Sequence, residues 1–304
     1  MDVSFLSLLT FILTTIGYFI IGKQKLIIND GLDNNVNLEG FPISSTDWMS
    51  GITAYYYSTF PKLGLYLLAV TLVQFMLNLG YLIGKCGGNV GNNLGPAILF
   101  TFIPWTLIFG VMIAALVVFP GFKSAFSDVI GYFVISSSAH DLLSQILIDV
   151  DVDKAMASSS LGDKTQEEMK LAADTIMKVC GNKGILINEM NPENFINIWN
   201  IMKPLTKFGN NNQFTDKLTG QVIDINTKRQ ELLDLVTLKD NIGEAFWYIY
   251  TAILVSSIVY YNLGSRGCVK DVATIQSDHA EYVKEQDAIE KKKEVENQVT
   301  YTMS

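Results

Sequence analysis

The residues of this chain best suited to chemistry are two histidines, three cysteines and a run of alternating aspartates. His140 and His279 lie far apart, and no His-x-x-x-His, Cys-x-x-Cys or Gly-x-Ser-x-Gly pattern occurs. Asp149, Asp151 and Asp153 alternate through Ile148–Asp153 as on a strand, where they would share one face and could hold a cation loosely. They lack the glycine and the closing glutamate of an EF-hand loop, so a plain solvated edge is the alternative. The glycines of KCGGNVGNN, Lys85–Asn93, look like a phosphate loop only superficially. The Gly-Lys-Ser/Thr ending and a preceding strand are missing, and the stretch reads as a tight polar hairpin. No catalytic, cofactor-binding or metal-binding constellation emerges, so neither an enzyme activity nor a cofactor is expected.

What remains is the chemistry of association. Gln74 and Asn78 are four apart and share one face of an uncharged helix, followed by the GxxxG pair Gly80 and Gly84. The amides could line a polar path, or they could tie helix to helix; helix packing through Gln74, Asn78, Gly80 and Gly84 is the favoured reading. Cys86 and Cys268 each follow the exit of an apolar block on one face, and Cys180 lies on the other. Cys86 and Cys268 can pair if their face is oxidising; otherwise they are two free thiols.

These residues must be positioned by the apolar blocks. Ala245–Ser265 is 21 residues without a charge, set between Glu244 and Arg266. At about 1.5 Å per residue it makes roughly 30 Å of helix, the thickness of a bilayer core. Trp247, Tyr248 and Tyr250 crowd its first end and Tyr260 and Tyr261 its last, as headgroup belts do. Val3–Gly22, Leu63–Gly84 and Leu94–Val118 are uncharged in the same way. Residues 1–22 therefore read as a first transmembrane helix, retained as a signal anchor, because Asp2 replaces a basic n-region. Residues 63–84 and 94–118 read as the second and third, with Pro104 expected to kink the third. Residues 245–265 are the fourth.

Between the spans lie a loop at 23–62 and an insertion at 123–244. The insertion reads as soluble and mainly helical. Asp128–Asp153 within it reads as a half-buried segment, lying on the membrane or against the soluble part, since a fifth span would bury Asp141. Thr165–Glu168 forms a capping box before a helix that Gly181 closes. Asn191-Pro192-Glu193 starts another, with Phe195, Ile198, Trp199 and Met202 on one face. Thr227-x-x-Gln230 caps a third helix through Leu238. Phe195, Trp199 and Met202 have the composition of a docking hot spot. The tail, 266–304, reads as a polar helix with a sparse stripe of Val272, Ile275, Tyr282 and Ile289. The fold expected is thus an all-α membrane protein: four transmembrane helices, a small helical soluble insertion between the third and fourth, and a helical polar tail.

Composition supports that class. The chain is 49% hydrophobic and 17% charged, against about 25% charged in soluble domains. A net charge of −8 argues against nucleic acid as the main partner, because a phosphate-binding face needs clustered Lys and Arg. Lys23, Lys25, Lys62, Lys123 and Lys239 flank the spans on the insertion face, against Lys85, Arg266 and Lys270 on the face bearing the termini. The positive-inside rule then puts the insertion in the cytoplasm.

Four spans with the large insertion before the last share the layout of tetraspanins. That family's insertion carries Cys-Cys-Gly and paired cysteines, whereas this one has only Cys180. A closer likeness covers the stretch from Asp240-Asn-Ile-Gly-Glu244-Ala-Phe-Trp247-Tyr248, through the apolar span, to Tyr261-Asn262 and Gly267-Cys268. It resembles membrane proteins of large icosahedral DNA viruses of the chlorella-virus, marseillevirus and iridovirus type. The resemblance implies a minor capsid or membrane protein of the virion. Such a protein sits in the internal membrane, or in a host membrane during assembly, and ties the bilayer to the capsid shell. Its partners would be lipid and other capsid or virion proteins, with a homo-oligomer as a further option. The competing expectation is an oligomeric channel or carrier, with Gln74, Asn78 and the Pro104 kink lining a path.

Overall fold

The computed structural model describes residues 3–23, 25–27, 45–86, 90–147, 182–202, 206–207, 213–215, 220, 222–268 and 272–299. About 89% of these residues are helical, and four helices are long and apolar enough to cross a membrane. The expected capping box at Thr165, the alternating aspartates after Ile148, and Cys180 lie outside the described residues.

Helix α1 runs Val3–Gly17 and is continued by a π-helical turn, Tyr18–Gly22. Helix α2 is Ser45–Cys86, so the expected loop at 23–62 is corrected: its second half is helix. The cause is an apolar period that polar residues mask. Trp48, Ile52, Thr59, Leu63 and Tyr66 recur at helical spacing and are buried. Pro61 lies on the exposed face of the helix and does not end it. Helix α3, Val90–Val118, starts four residues before the expected span. Pro104 has no N–H for the carbonyl one turn back, and the helix continues past it through a π-helical turn, Trp105–Phe109.

A 3-10 turn, Pro120–Lys123, leads into helix α4 at 124–146, which packs along the last long helix and is not one of the four long apolar helices. Helices α5, Lys183–Glu189, and α6, Phe195–Met202, follow. Asn182 caps α5 by accepting from the Ile185 amide at 3.2 Å. Before α6, Asn191 and Asn194 exchange backbone-to-side-chain hydrogen bonds of 2.8 Å each. An antiparallel hairpin of β1, Gln213–Thr215, and β2, Val222–Asp224, departs from the all-helical expectation. Helix α7 is Ile225–Ser265. Its N-cap is Asp224, which accepts from the Thr227 amide at 3.2 Å, and not Thr227 as expected. Helix α8, Val272–Val299, is exposed at every described side chain from Ile275 to Lys293.

The expected third insertion helix and the fourth span are one unbroken rod. With 41 and 42 residues, α7 and α2 each reach about 60 Å, roughly twice a bilayer core. Their lower halves join α1 and α3 in a bundle around Phe11, Tyr66, Trp105, Phe109 and Tyr248. Their upper halves hold a cap around Trp48, Leu143, Phe195, Trp199 and Leu232.

That arrangement overturns the expected docking surface. Phe195, Trp199 and Met202 are 0%, 2% and 0% exposed, and they form the centre of the cap instead of its outside. The GxxxG pair is corrected too. Gly80 and Gly84 face outward, and a Cβ on either would meet nothing within 4 Å. Helix α2 packs instead through Leu63, Tyr66, Val70 and Leu82, and through hydrogen-bonding side chains.

Candidate functional site

The sequence-expected amides hold the bundle together. Gln74 and Asn78 are buried. Ser7 Oγ donates to Gln74 Oε1 at 2.5 Å, and Gln74 Nε2 donates back to the Ser7 carbonyl at 2.9 Å, joining α1 to α2. Asn78 Nδ2 donates to Thr101 Oγ1 at 3.0 Å, joining α2 to α3. A buried amide without such partners would cost about 1–3 kcal/mol, so these side chains are oriented by their neighbours.

At the terminus end, Cys86 and Cys268 are disulfide-bonded with Cα atoms 5.1 Å apart. Beside them Lys85 Nζ donates to the carbonyls of Leu263, Gly264 and Arg266 at 3.1, 2.6 and 3.1 Å. These are the carbonyls an α-helix leaves unpaired at its C-terminus, and a cation there also meets the negative end of the helix dipole. Cation and disulfide together fix the exit of α7 to the exit of α2. Under denaturing, non-reducing conditions, a maleimide is expected to modify one of the three cysteines, and all three after reduction. Three modified cysteines before reduction would contradict the pairing.

At the other end is a cluster that sequence reasoning missed. Asp240, Glu244 and Tyr248 follow one another at four-residue spacing on one face of α7. Lys23 comes from just beyond the π-turn of α1, and Lys123 from the 3-10 turn before α4. Glu244 Oε2 receives Lys23 Nζ at 2.8 Å and Lys123 Nζ at 3.0 Å. Asp240 Oδ2 receives Lys123 Nζ at 3.0 Å. Tyr248 donates its hydroxyl to the second oxygen of Glu244 at 2.7 Å. The side chains of Lys23, Lys123 and Glu244 are only 9%, 4% and 8% exposed. Two ammonium groups thus face two carboxylates, and the cluster carries no net charge.

Small residues make this approach possible. A Cβ at Gly243 would lie 2.7 Å from Ser127 Cβ and 2.8 Å from the Lys123 carbonyl. One at Gly131 would lie 2.5 Å from the Lys239 carbonyl. With hydrogen there instead, the 3-10 turn and α4 lie directly on α7. A third buried lysine extends the seam upward: Lys239 Nζ donates to Asp128 Oδ1 at 2.9 Å and to the carbonyls of Ile187 and Asn188 at 3.1 and 2.8 Å. Trp247 Nε1 donates to the Phe122 carbonyl at 2.8 Å and closes the outer side.

The two central lysines differ. Burial pushes the Lys23 ammonium below the usual lysine range; Glu244 draws it back and Lys123 opposes it. Burial also works against the charge of Lys123, but Glu244 and then Asp240 outweigh it and hold that ammonium well above the usual range. Lys123 also lies 5.4 Å from the centre of the Tyr56 ring, and Lys23 lies 5.0 Å from that of Phe19. Chemically this is a closed electrostatic joint between cap and bundle. The signal that could have found it was the stripe Asp240–Glu244–Tyr248, which continues the buried line Ala252, Val255, Val259 and Leu263. Comparison with protein families, curated proteins and solved structures yields no match.

Proposed function

We propose that this protein is a non-catalytic membrane anchor of a virion, holding the internal membrane to the capsid shell by a rigid cap raised on two long helices. One observation carries the reading: the two buried amides of the bundle and the charges at its upper end are turned on neighbouring side chains. Gln74 and Asn78 bind Ser7 and Thr101, and Glu244 binds two lysines. A channel or carrier needs the two amides along its path; here they face neighbouring helices. A tether needs a stiff connection between lipid and shell, and α2 and α7 run unbroken from the apolar bundle into the cap.

The virion membrane as location rests on the resemblance over Asp240–Cys268, and those same residues supply the acidic half of the joint and half of the disulfide. The disulfide and the lysine count agree on sidedness, with the termini in an oxidising compartment and the cap in the cytoplasm. The test is lysine-directed cross-linking of purified virus particles of the source, after carbonate washing of their membranes. The chain is expected to stay with the lipid fraction and to cross-link through cap lysines to capsid proteins. Its absence from particles would overturn the virion reading, and its release by carbonate the membrane reading.

A further inference from the structure

The helix at 124–146 has one face too apolar for water, and among the described residues none covers it. Its inner face is spent on α7 through Ser127, Gly131, Ile135 and Ala139, all buried. On its outer face Val129, Phe133 and Val134 are 67%, 80% and 57% exposed. Two turns further on, the same face turns polar, with Ser137, His140, Asp141 and Gln145. Below, Phe119 and Phe122 are 59% and 56% exposed in the turn that leaves α3. The outward apolar surface therefore does not stop where the third long helix ends at Val118; it climbs onto α4 and fades.

We propose that the first half of this outer face, centred on Phe133, lies in the headgroup layer of the membrane that the four long helices cross. The proposal rests on the membrane part of the reading above and not on its viral part. Continuity selects lipid over a protein partner: the patch begins at the lipid-facing end of α3 and loses its apolarity with distance from the bundle. A helix whose outer face is apolar beside the bundle and polar further away is the composition that settles at a bilayer interface. Asp128, beside the patch, is neutralised by Lys239 at 2.9 Å. Trp247 and Phe126 pack edge to face, with ring centres 5.1 Å apart, just beneath, an aromatic belt at the same boundary. The joint of Lys23, Lys123, Asp240 and Glu244 would then be ringed by lipid headgroups and shielded from bulk water.

Nitroxide labels on the full chain in phosphatidylcholine nanodiscs test this. With Cys180→Ser as background and the disulfide left intact, single cysteines replace Val111 on α3, Phe133, and Gln145 near the far end of α4. Val111 is 64% exposed and Phe133 is more so, so neither change disturbs the core. The expected result is several-fold greater accessibility to oxygen than to a water-soluble nickel chelate at Val111 and Phe133, and the reverse at Gln145. If Phe133 matches Gln145 while Val111 reads lipid, the membrane reading survives and this proposal falls. If Val111 also reads water, both fall.

Discussion

Replacing Glu244 with alanine is expected to destabilise the folded protein by about 3–5 kcal/mol, the cost of leaving buried charge without its partner. Lys23 loses its carboxylate, Lys123 keeps only Asp240, and the Tyr248 hydroxyl loses its acceptor. The effect should be read as a lower melting temperature in detergent or nanodiscs, with the disulfide still formed. A control separates lost pairing from lost volume. Lys23→Met combined with Glu244→Met removes one cation and one anion, and leaves the Lys123–Asp240 pair at 3.0 Å. That double variant should recover most of the loss, because a balanced apolar replacement of a buried pair is often close to neutral. If Glu244→Ala alone changes nothing, the cluster is solvated and the joint as described does not exist.

Trp199→Ala is expected to cost about 3–5 kcal/mol through the cavity it leaves in the cap. Trp199 stacks on Phe195 with ring centres 6.3 Å apart and planes at 13°, and Trp48 closes on Phe195 at 6.2 Å. The loss should appear as unfolding of the cap at lower denaturant concentration. Ile201, on the same short helix but 56% exposed, is the matched control, and Ile201→Ala should stay within about 0.5 kcal/mol of the parent. A docking surface at Phe195, Trp199 and Met202 would give the opposite pattern: stability unchanged and only partner binding lost.

The four long helices were legible because uncharged runs of about 20 residues are scarce outside membranes. Their upward extensions were not. Residues 45–62 and 225–244 carry charges, amides and Pro61, and their apolar period shows only once the buried face is known. The face of Phe195, Trp199 and Met202 was legible as a face, but spacing along a helix does not say what covers it. Here Trp48, from a stretch read as loop, does part of that. The glycine pair at 80 and 84 marks a smooth helix surface, and among the described residues no neighbour lies against it. Pairing of Cys86 with Cys268 could be anticipated because both follow exits on one face. The charge cluster could not. Lys23, Lys123 and Glu244 flank apolar blocks, where lysines and acids ordinarily mark topology. They are distant in sequence, Lys23 and Glu244 being 221 positions apart, and only the folded chain brings them together.

Hydrogen exchange across α7 is the most direct measurement. The cap and bundle are held as one body by an unbroken helix, clamped at Asp240 and Glu244. In the full chain in nanodiscs, amides from Val236 through Ala252 should therefore exchange slowly and as one unit, with no gap at the joint. Fast exchange confined to residues 240–246, between a protected cap and a protected bundle, would mean that the cap swings on a hinge. A hinged cap could not act as the stiff connection proposed here.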